Sequence, residues 1–461
     1  MKGLPAPRKN LQLNSLAVVL SSALTSLLGL AFWAVAAKLF PAQEVGVAAA
    51  TTSSAMMLSV VASLSLGAMF ERFLPLAGNR AGGLLLRGYL LVAALAGVLA
   101  LGLILLGPRH TLFRSGWELA AYPVFVIVLT VFALQDNTAA GLGVARWGAI
   151  KNSTQGAAKL AAVVALAATG GALAIVLSWG ATAALAVCWL GLALRKRLRA
   201  DARYTAGPTL PPRRELWQYF GASYGITALA SIAPLIVPLV VISEIGPKAS
   251  AYFAMAWSIV SALYLMLNLL VGPFVAECAA HPDNIKSLSN HFAKLVAAVA
   301  VLGGIGLAFV APILLGFLGS DYRAHGTPLL HLAAVFMPLT VIGAVYDGLA
   351  RVYRRLTLAV VTQILVTVVV IGGSILTAPS QGVLGVALSY LLAEALAAVI
   401  LVGPLIRWLR ELRAASPATA APAPVPAPAE LAPTFTMLDT AVTENPSSTS
   451  TPERPTVCGM S

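Results

Sequence analysis

The sequence predicts an all-α integral membrane protein of about twelve transmembrane helices in two six-helix lobes. Apolar residues make up 59% of the 461 residues and charged residues only 10%, whereas a soluble domain has about a quarter of its residues charged. Apolar runs of about 20 residues, the length that crosses a bilayer as a helix, recur along the chain. The basic residues are concentrated in every second loop between these runs, as expected for the cytoplasmic loops of a membrane protein.

Twelve candidate spans flank a basic stretch at 195–214, which reads RKRLRADARYTAGPTLPPRR. The first run is about 25 residues, longer than the 7–15-residue apolar core of a signal peptide, so we interpret it as a retained span. The first six spans are 13–37, 45–70, 84–107, 119–144, 152–169 and 172–194, and the second six are 219–243, 249–276, 291–315, 327–350, 356–377 and 383–406.

The positions of the Lys and Arg residues predict the orientation. With the N-terminus inside, 24 of the 30 lie in cytoplasmic segments or at cytoplasmic span ends, Lys151 among them. Five lie outside, and Lys159 is left within a span. Cytoplasmic loops are enriched in basic residues, so this split supports both the span count and cytoplasmic termini. It also explains the net charge of +13 without nucleic acid, which we exclude as a partner.

The two halves repeat at a nearly constant offset. Pro41 and Pro247 are 206 residues apart, as are Glu71 and Glu277. Six spans per half is an even number, so both halves have the same orientation, which is a parallel pseudo-twofold repeat typical of transporters. We expect a cytoplasmic N-terminus at 1–12, a first lobe at 13–194, a basic cytoplasmic linker at 195–216, a second lobe at 217–410 and a disordered Pro/Ala/Thr-rich cytoplasmic tail at 411–461.

Ionisable side chains within spans are costly and usually face a cavity or a partner. Asp136 in the fourth span and Lys159 in the fifth are expected at similar depth, because the two spans are consecutive and antiparallel. They form either a polar site that contacts substrate or a coupling ion, or a structural ion pair. Glu394 lies near mid-membrane in the twelfth span and is a further cavity candidate.

Four charges lie nearer the cytoplasmic span ends. Asp347 is within a helical turn of Arg351, which indicates a local ion pair. Glu71 and Glu277 end equivalent spans of the two halves. We consider all four as candidates for gating interactions between the halves, with ordinary interfacial charges as the alternative for Glu71 and Glu277.

Polar uncharged residues form stripes at helical spacing. Ser223 and Thr227 lie in the seventh span, and Asn268 follows Ser261 and Tyr264 in the eighth. Such stripes either line a hydrated, sugar-compatible cavity or form small-residue contacts between helices.

Enzymatic functions are disfavoured. The predicted external loops are short, the five His residues show no metal-ligand spacing, and no phosphate-binding Gly-rich loop with Lys is present. We therefore expect neither a catalytic residue nor a metal site nor a cofactor, and no direct use of ATP.

Four segments resemble one family. They are FPAQEVG at 40–46, ERFLP at 71–75, LQDNTAAGLGVARW at 134–147 and GPKASAYF at 246–253. With the span pattern of residues 10 to about 410, they resemble the polysaccharide-transporter branch, the O-antigen-type flippases, of the multidrug/oligosaccharidyl-lipid/polysaccharide (MOP) exporter superfamily.

The resemblance implies a MATE-like fold, a bacterial plasma-membrane location and export of a polyprenyl-diphosphate-linked glycan by alternating access. Membrane lipids, and a polysaccharide polymerase or glycosyltransferases, are the implied partners. Arg72 and Arg87 are the cations expected near the diphosphate. Two alternatives stay open, a cation-coupled multidrug antiporter that uses acids such as Asp136 and a non-transport scaffold acting through the tail. The first span carries no charge before Lys38, which disfavours flipping of the peptidoglycan precursor.

Overall fold

The computed structural model describes residues 24–63, 66–200, 207, 235–280, 284–353 and 355–414. Its regular elements are all helical, which confirms the predicted class. The α-helices are α1 (Leu24–Leu39), α2 (Ala42–Ser63), α3 (Leu66–Phe73), α4 (Ala81–Leu106), α5 (Arg109–Leu112), α6 (Gly116–Gly141), α7 (Ala145–Ala165), α8 (Ala172–Ala200), α9 (Leu235–Glu244), α10 (Pro247–Ala280), α11 (Ile285–Ile305), α12 (Ala311–Leu318), α13 (Ser320–Val352), α14 (Thr357–Gln381) and α15 (Val383–Ala414).

The predicted spans correspond to these helices in order. The described ranges contain nine helices that are long and apolar enough to cross a membrane, one of which joins α11 and α12 into 34 residues. The 21-residue helix α7 supplies another span, and α1 and α9 are the described parts of the first and seventh. Because the connecting turns are short, successive spans run in opposite directions.

Helix α4 shows how a lipid-facing helix is built here. Its buried face includes Gly88, Ala96 and Ala100, four or eight residues apart, so neighbouring helices approach a small-residue surface there. Its opposite face leaves Leu90 and Leu105 61% and 73% exposed. Lipid is as apolar as leucine, so such a surface is stable in a bilayer and helix packing depends on close contact instead.

The two halves pack their helices in the same pattern. In the first half α4 and α8 both contact α6, and α7 contacts α8. In the second half α11 and α15 both contact α13, and α14 contacts α15. Each half has an equivalent glycine that allows a close helix contact. A Cβ on Gly141 would lie 2.5 Å from the Phe70 carbonyl oxygen, and a Cβ on Gly348 would lie 3.1 Å from the Phe274 ring. This repetition confirms the parallel arrangement of two helical lobes.

Three predicted boundaries differ from the observed ones. Helix α7 begins at Ala145 and ends at Ala165, whereas the fifth span was predicted at 152–169. Its first turns contain polar residues, including the buried Lys151, so hydropathy does not detect them. Helix α8 continues to Ala200, so the first residues of the predicted linker are helical. Helix α15 reaches Ala414, which is beyond the predicted end of the second lobe.

Candidate functional site

The two halves touch where α2 meets α10. The Ser250 hydroxyl donates a hydrogen bond to the Gly46 carbonyl oxygen at 3.2 Å. A Cβ on Gly46 would overlap the Pro247 carbonyl oxygen, so only glycine allows this approach. Beside it, Lys38 Nζ donates to the carbonyl oxygen of Phe317, in the last turn of α12, at 3.1 Å. We call this side of the molecule, which includes Pro41, the Pro41 end.

Glu44 holds the first half together at the same end. Its side chain is 11% exposed, and one carboxylate oxygen lies 2.6 Å from an Arg114 guanidinium nitrogen. The other accepts a hydrogen bond from the backbone N–H of Ala172 at 2.7 Å. A carboxylate at a helix N-terminus satisfies a free donor and the helix dipole together, so Glu44 ties the start of α8 to the α5–α6 turn.

Asp136 pairs with Lys151, and the predicted pairing with Lys159 is wrong. Lys151 Nζ lies 2.9 Å from Asp136 Oδ1, and the Lys151 side chain is fully buried while that of Asp136 is 37% exposed. The ammonium also lies 3.5 Å from the Phe132 ring centroid, and Asn152 donates to Asp136 Oδ2 at 2.9 Å. The earlier start of α7 moves Lys151 from the predicted cytoplasmic span end into the protein interior.

Lys159 occupies an aromatic environment two turns further along α7. Its ammonium lies 3.5 Å from the Trp179 ring centroid and 5.3 Å from that of Phe32. The residue is 3% exposed, and no acidic side chain pairs with it in the described part of the chain. Cation–π attraction is strongest when desolvated, so these rings partly replace the missing carboxylate.

The opposite side of the molecule, which we call the Glu71 end, carries several of the predicted charges. The Asn137 amide donates to the Glu71 carboxylate at 2.8 Å, a contact within the first half. Arg72 lies 5.5 Å from the Phe73 ring centroid. Arg87 and Glu277 are exposed. A Cβ on Gly88 would lie 2.5 Å from the Phe70 ring, so the neighbouring Arg72 and Arg87 lie at the same end of the first half.

A cavity of about 520 Å³ lies within the second half, between α10, α13, α14 and α15. We call it the second-half cavity. It includes three of the predicted site residues, Asn268, Asp347 and Glu394. Its polar and aromatic lining residues are Trp257, Ser261, Tyr264, Asn268, Thr340, Tyr346, Asp347, Thr362, Gln363, Tyr390 and Glu394.

Glu394 is the buried acid of this cavity. The Tyr264 hydroxyl donates to Glu394 Oε1 at 2.8 Å, and the Tyr390 ring packs against Trp257 with centroids 4.3 Å apart. A charged carboxylate with a single neutral donor is costly inside a membrane protein. The site therefore favours a proton or a cation whenever the cavity is otherwise empty.

The comparisons with known proteins are structural. No protein-family model and no curated protein matches the sequence. An inward-facing multidrug resistance MATE transporter of the MOP superfamily matches with a TM-score of 0.59 and 14% identity, over 85% of this chain and 96% of that one. The lipid II flippase MurJ in an inward closed conformation matches with a TM-score of 0.63 and 13% identity, over 87% of this chain and 89% of that one.

An outward-facing MATE transporter of the MOP superfamily also matches, with a TM-score of 0.58 and 16% identity, over 90% of this chain and 98% of that one. The chain shares its fold with these transporters. At these identities the likeness establishes the fold alone, and the multidrug and lipid-flippase members support it equally.

The remaining predicted residues are Asp347 and Arg351 on α13, and Ser223 and Thr227. Asp347 and Arg351 form an i,i+4 ion pair at 2.9 Å on α13, next to the second-half cavity, and their contact is local rather than between halves. Ser223 and Thr227 lie outside the described residues.

Sequence reasoning missed Glu44, Lys151 and Tyr264. Glu44 lies inside the FPAQEVG segment, but nothing in the sequence places it opposite Arg114 or the start of α8. Lys151 was excluded by the predicted start of the fifth span. Tyr264 was part of a polar stripe, and only the packing of α10 against α13 and α15 places its hydroxyl on Glu394. The turn between α6 and α7 was the signal from which the earlier start of α7, and so the buried position of Lys151, could have been predicted.

Proposed function

We propose that the chain translocates a polyprenyl-diphosphate-linked oligosaccharide across a bacterial plasma membrane by alternating access of its two lobes. The observation that carries the proposal is the repeated pair of lobes that meet at the Pro41 end through the Gly46–Pro247 contact. In the described ranges the lobes meet mainly along α2 and α10, and two helices can separate without unfolding either lobe. The two lobes can then rock about a central path.

The proposed substrate is supported by the distribution of polar groups. Basic residues gather on the first half at the Glu71 end, with Arg72 and Arg87 among them, and a diphosphate needs such cations. A sugar headgroup needs uncharged hydrogen-bonding groups, which the second-half cavity offers. The polyprenyl tail stays in lipid, next to the apolar outer faces of helices such as α4. The lipid II flippase neighbour moves a lipid, which fits the same scheme.

The charge distribution sets the orientation in this proposal. By the positive-inside rule the Glu71 end lies in the cytoplasm, so the closed Pro41 end faces outwards and substrate is taken up from the cytoplasmic side. The basic segment at 195–216 links the lobes on the cytoplasmic side, and the tail at 411–461 is the segment available to a polymerase or glycosyltransferases.

A cation-coupled multidrug antiporter is the second candidate function. It is favoured by Glu394, a buried acid among aromatic rings, which is an environment suited to organic cations. The two functions differ in what accumulates when the gene for this chain is deleted. A flippase mutant is expected to accumulate lipid-linked glycan in the cytoplasmic leaflet with unchanged sensitivity to cationic dyes. Dye sensitivity without glycan accumulation would replace the flippase by the antiporter.

A further inference from the structure

Two helical stripes converge on the second-half cavity. On α10, Trp257, Ser261, Tyr264 and Asn268 recur at three- and four-residue spacing and all line the cavity. On α15, Tyr390 and Glu394 do the same. Residues at this spacing share one face of a helix, so the cavity is formed by whole helix faces rather than by loops. Such a wall is rigid enough to orient a ligand.

Two buried hydroxyl groups of the lining have no hydrogen-bond partner in the described part of the chain. Thr362 is 4% exposed and Tyr390 is 6% exposed, and neither side-chain oxygen has a hydrogen-bond partner among the described residues. Buried polar atoms are almost always hydrogen-bonded. Both residues line the cavity, so their hydroxyl groups are available to a ligand that supplies hydroxyl or carbonyl groups.

Apart from Glu394, which a proton can neutralise, the groups around the cavity favour an uncharged ligand. Asp347 is neutralised by Arg351 at 2.9 Å, which leaves Glu394 as the one carboxyl of the lining without a basic partner in the described ranges. The remaining polar groups are hydroxyls and amides, from Ser261, Asn268, Thr340, Thr362 and Gln363. Amides and hydroxyls both donate and accept, which matches a polyol better than a cation.

The size and the aromatic content of the cavity are compatible with a sugar ring. A volume of about 520 Å³ lies within the range of about 300–1,000 Å³ that small-molecule sites occupy. The rings of Trp257 and Tyr390 pack with centroids 4.3 Å apart and supply an apolar part of the lining, while the amides of Asn268 and Gln363 supply polar groups.

We propose that the second-half cavity is a subsite for one neutral sugar unit of the transported glycan, held by Thr362, Asn268 and Gln363. The proposal rests on the proposed function for the origin of the sugar but not for the binding itself. It places part of the headgroup inside one lobe rather than between the two lobes.

The test is direct binding to the full-length protein in lipid nanodiscs without glycoside detergent. Saturation-transfer NMR would use glucose, galactose, mannose, rhamnose and N-acetylglucosamine as probes, with tetraphenylphosphonium as the cationic probe. We expect at least one sugar to bind and Thr362→Val to weaken it roughly fivefold, the effect of one lost hydrogen bond. Glu394→Gln, which keeps the hydrogen bonds and removes the charge, is expected to leave sugar affinity within about threefold.

Thr367→Val is the matched control. Thr367 is a buried threonine of the same helix whose hydroxyl also has no partner among the described residues, but it does not line the cavity. Equal loss in the two threonine variants, or no sugar binding to the unmodified protein, would overturn the proposal. So would tetraphenylphosphonium binding that depends on Glu394 and not on Thr362, in the absence of sugar binding.

A transport measurement separates this proposal from the proposed function. The substrate is the polyprenyl-diphosphate glycan fraction extracted from producing cells, in vesicles that contain the reconstituted protein. If the unmodified protein translocates it and Thr362→Val does so at the same rate and sugar affinity, the subsite is wrong and the flippase stands. If the unmodified protein binds sugar but translocates no glycan lipid, the subsite stands and the flippase is wrong.

Discussion

Replacing Gly46 by alanine is expected to break the contact at the Pro41 end. The new Cβ would overlap the Pro247 carbonyl oxygen and lie 3.0 Å from the Ala251 nitrogen. An ordinary carbon–oxygen contact is about 3.3 Å, so α2 must move away from α10 to restore it. The Ser250 hydrogen bond, already 3.2 Å long, is lost when the helices separate this far.

The expected free-energy change follows from these two losses. Overpacking costs about 1–3 kcal/mol, and the lost hydrogen bond adds about 1 kcal/mol. The closed state is therefore disfavoured by about 2–4 kcal/mol, which shifts the ratio of closed to open molecules by roughly 30-fold or more. Each lobe keeps its own packing, so the protein is expected to remain folded.

Spin-label distances across the Pro41 end measure this shift. Labels at Gln43→Cys and Lys248→Cys, both exposed positions, would be placed in a protein whose native Cys188, Cys278 and Cys458 are replaced by serine. Gly46→Ala is expected to lengthen the main distance. Gly272→Ala is the matched control, because Gly272 lies on α10 with open space around it. Identical distance distributions for Gly46→Ala and the unmodified protein would refute the reasoning.

Three further predictions concern stability, measured as thermal unfolding of the purified protein. Asp136→Asn leaves the Lys151 ammonium buried without its acid and is expected to cost about 3–5 kcal/mol, whereas Lys159→Met loses only cation–π contacts worth about 0.5–2 kcal/mol. Equal losses would contradict the assigned pairing. Glu44→Gln is expected to cost about 1–2 kcal/mol, because it weakens the helix cap and the ion pair. Glu118→Gln is the control and is expected to cost less, because the contacts of Glu118 with Arg114 and Ser115 are exposed. A smaller loss for Glu44→Gln than for Glu118→Gln would count against the role of Glu44. Tyr264→Phe removes the donor to buried Glu394 and is expected to cost about 1–3 kcal/mol, while an unchanged melting temperature would show that another group satisfies the carboxyl.

The fold could be predicted from the sequence because lipid imposes a simple rule. Every backbone polar group in the membrane must be satisfied within the helix, so apolar length and basic loops were enough to predict the spans and their order. The repeat was visible because equivalent contacts use equivalent residues, as Gly141 and Gly348 show. The start of helix α7 could not be predicted in this way, because its first turns contain polar residues.

The candidate site could be predicted only in part, because pairing depends on where each helix begins and how it packs. Asp136 and Lys159 were predicted at similar depths, but the start of α7 at Ala145 brings Lys151 to Asp136 and leaves Lys159 about two turns further along the helix. Glu394 was recognisable as an intramembrane acid. Its contact with Tyr264, 130 residues earlier in the chain, has no signature in local sequence.

The most direct test of the proposed function is the translocation rate of a fluorescent polyprenyl-diphosphate oligosaccharide in reconstituted vesicles. Loss of fluorescence on adding an impermeant quencher reports the fraction of lipid that reaches the outer leaflet. The account predicts faster translocation with the protein than in protein-free vesicles, a reduced rate for Gly46→Ala and an unchanged rate for Gly272→Ala. A rate equal to that of protein-free vesicles, with the folded protein confirmed in the membrane, would contradict it.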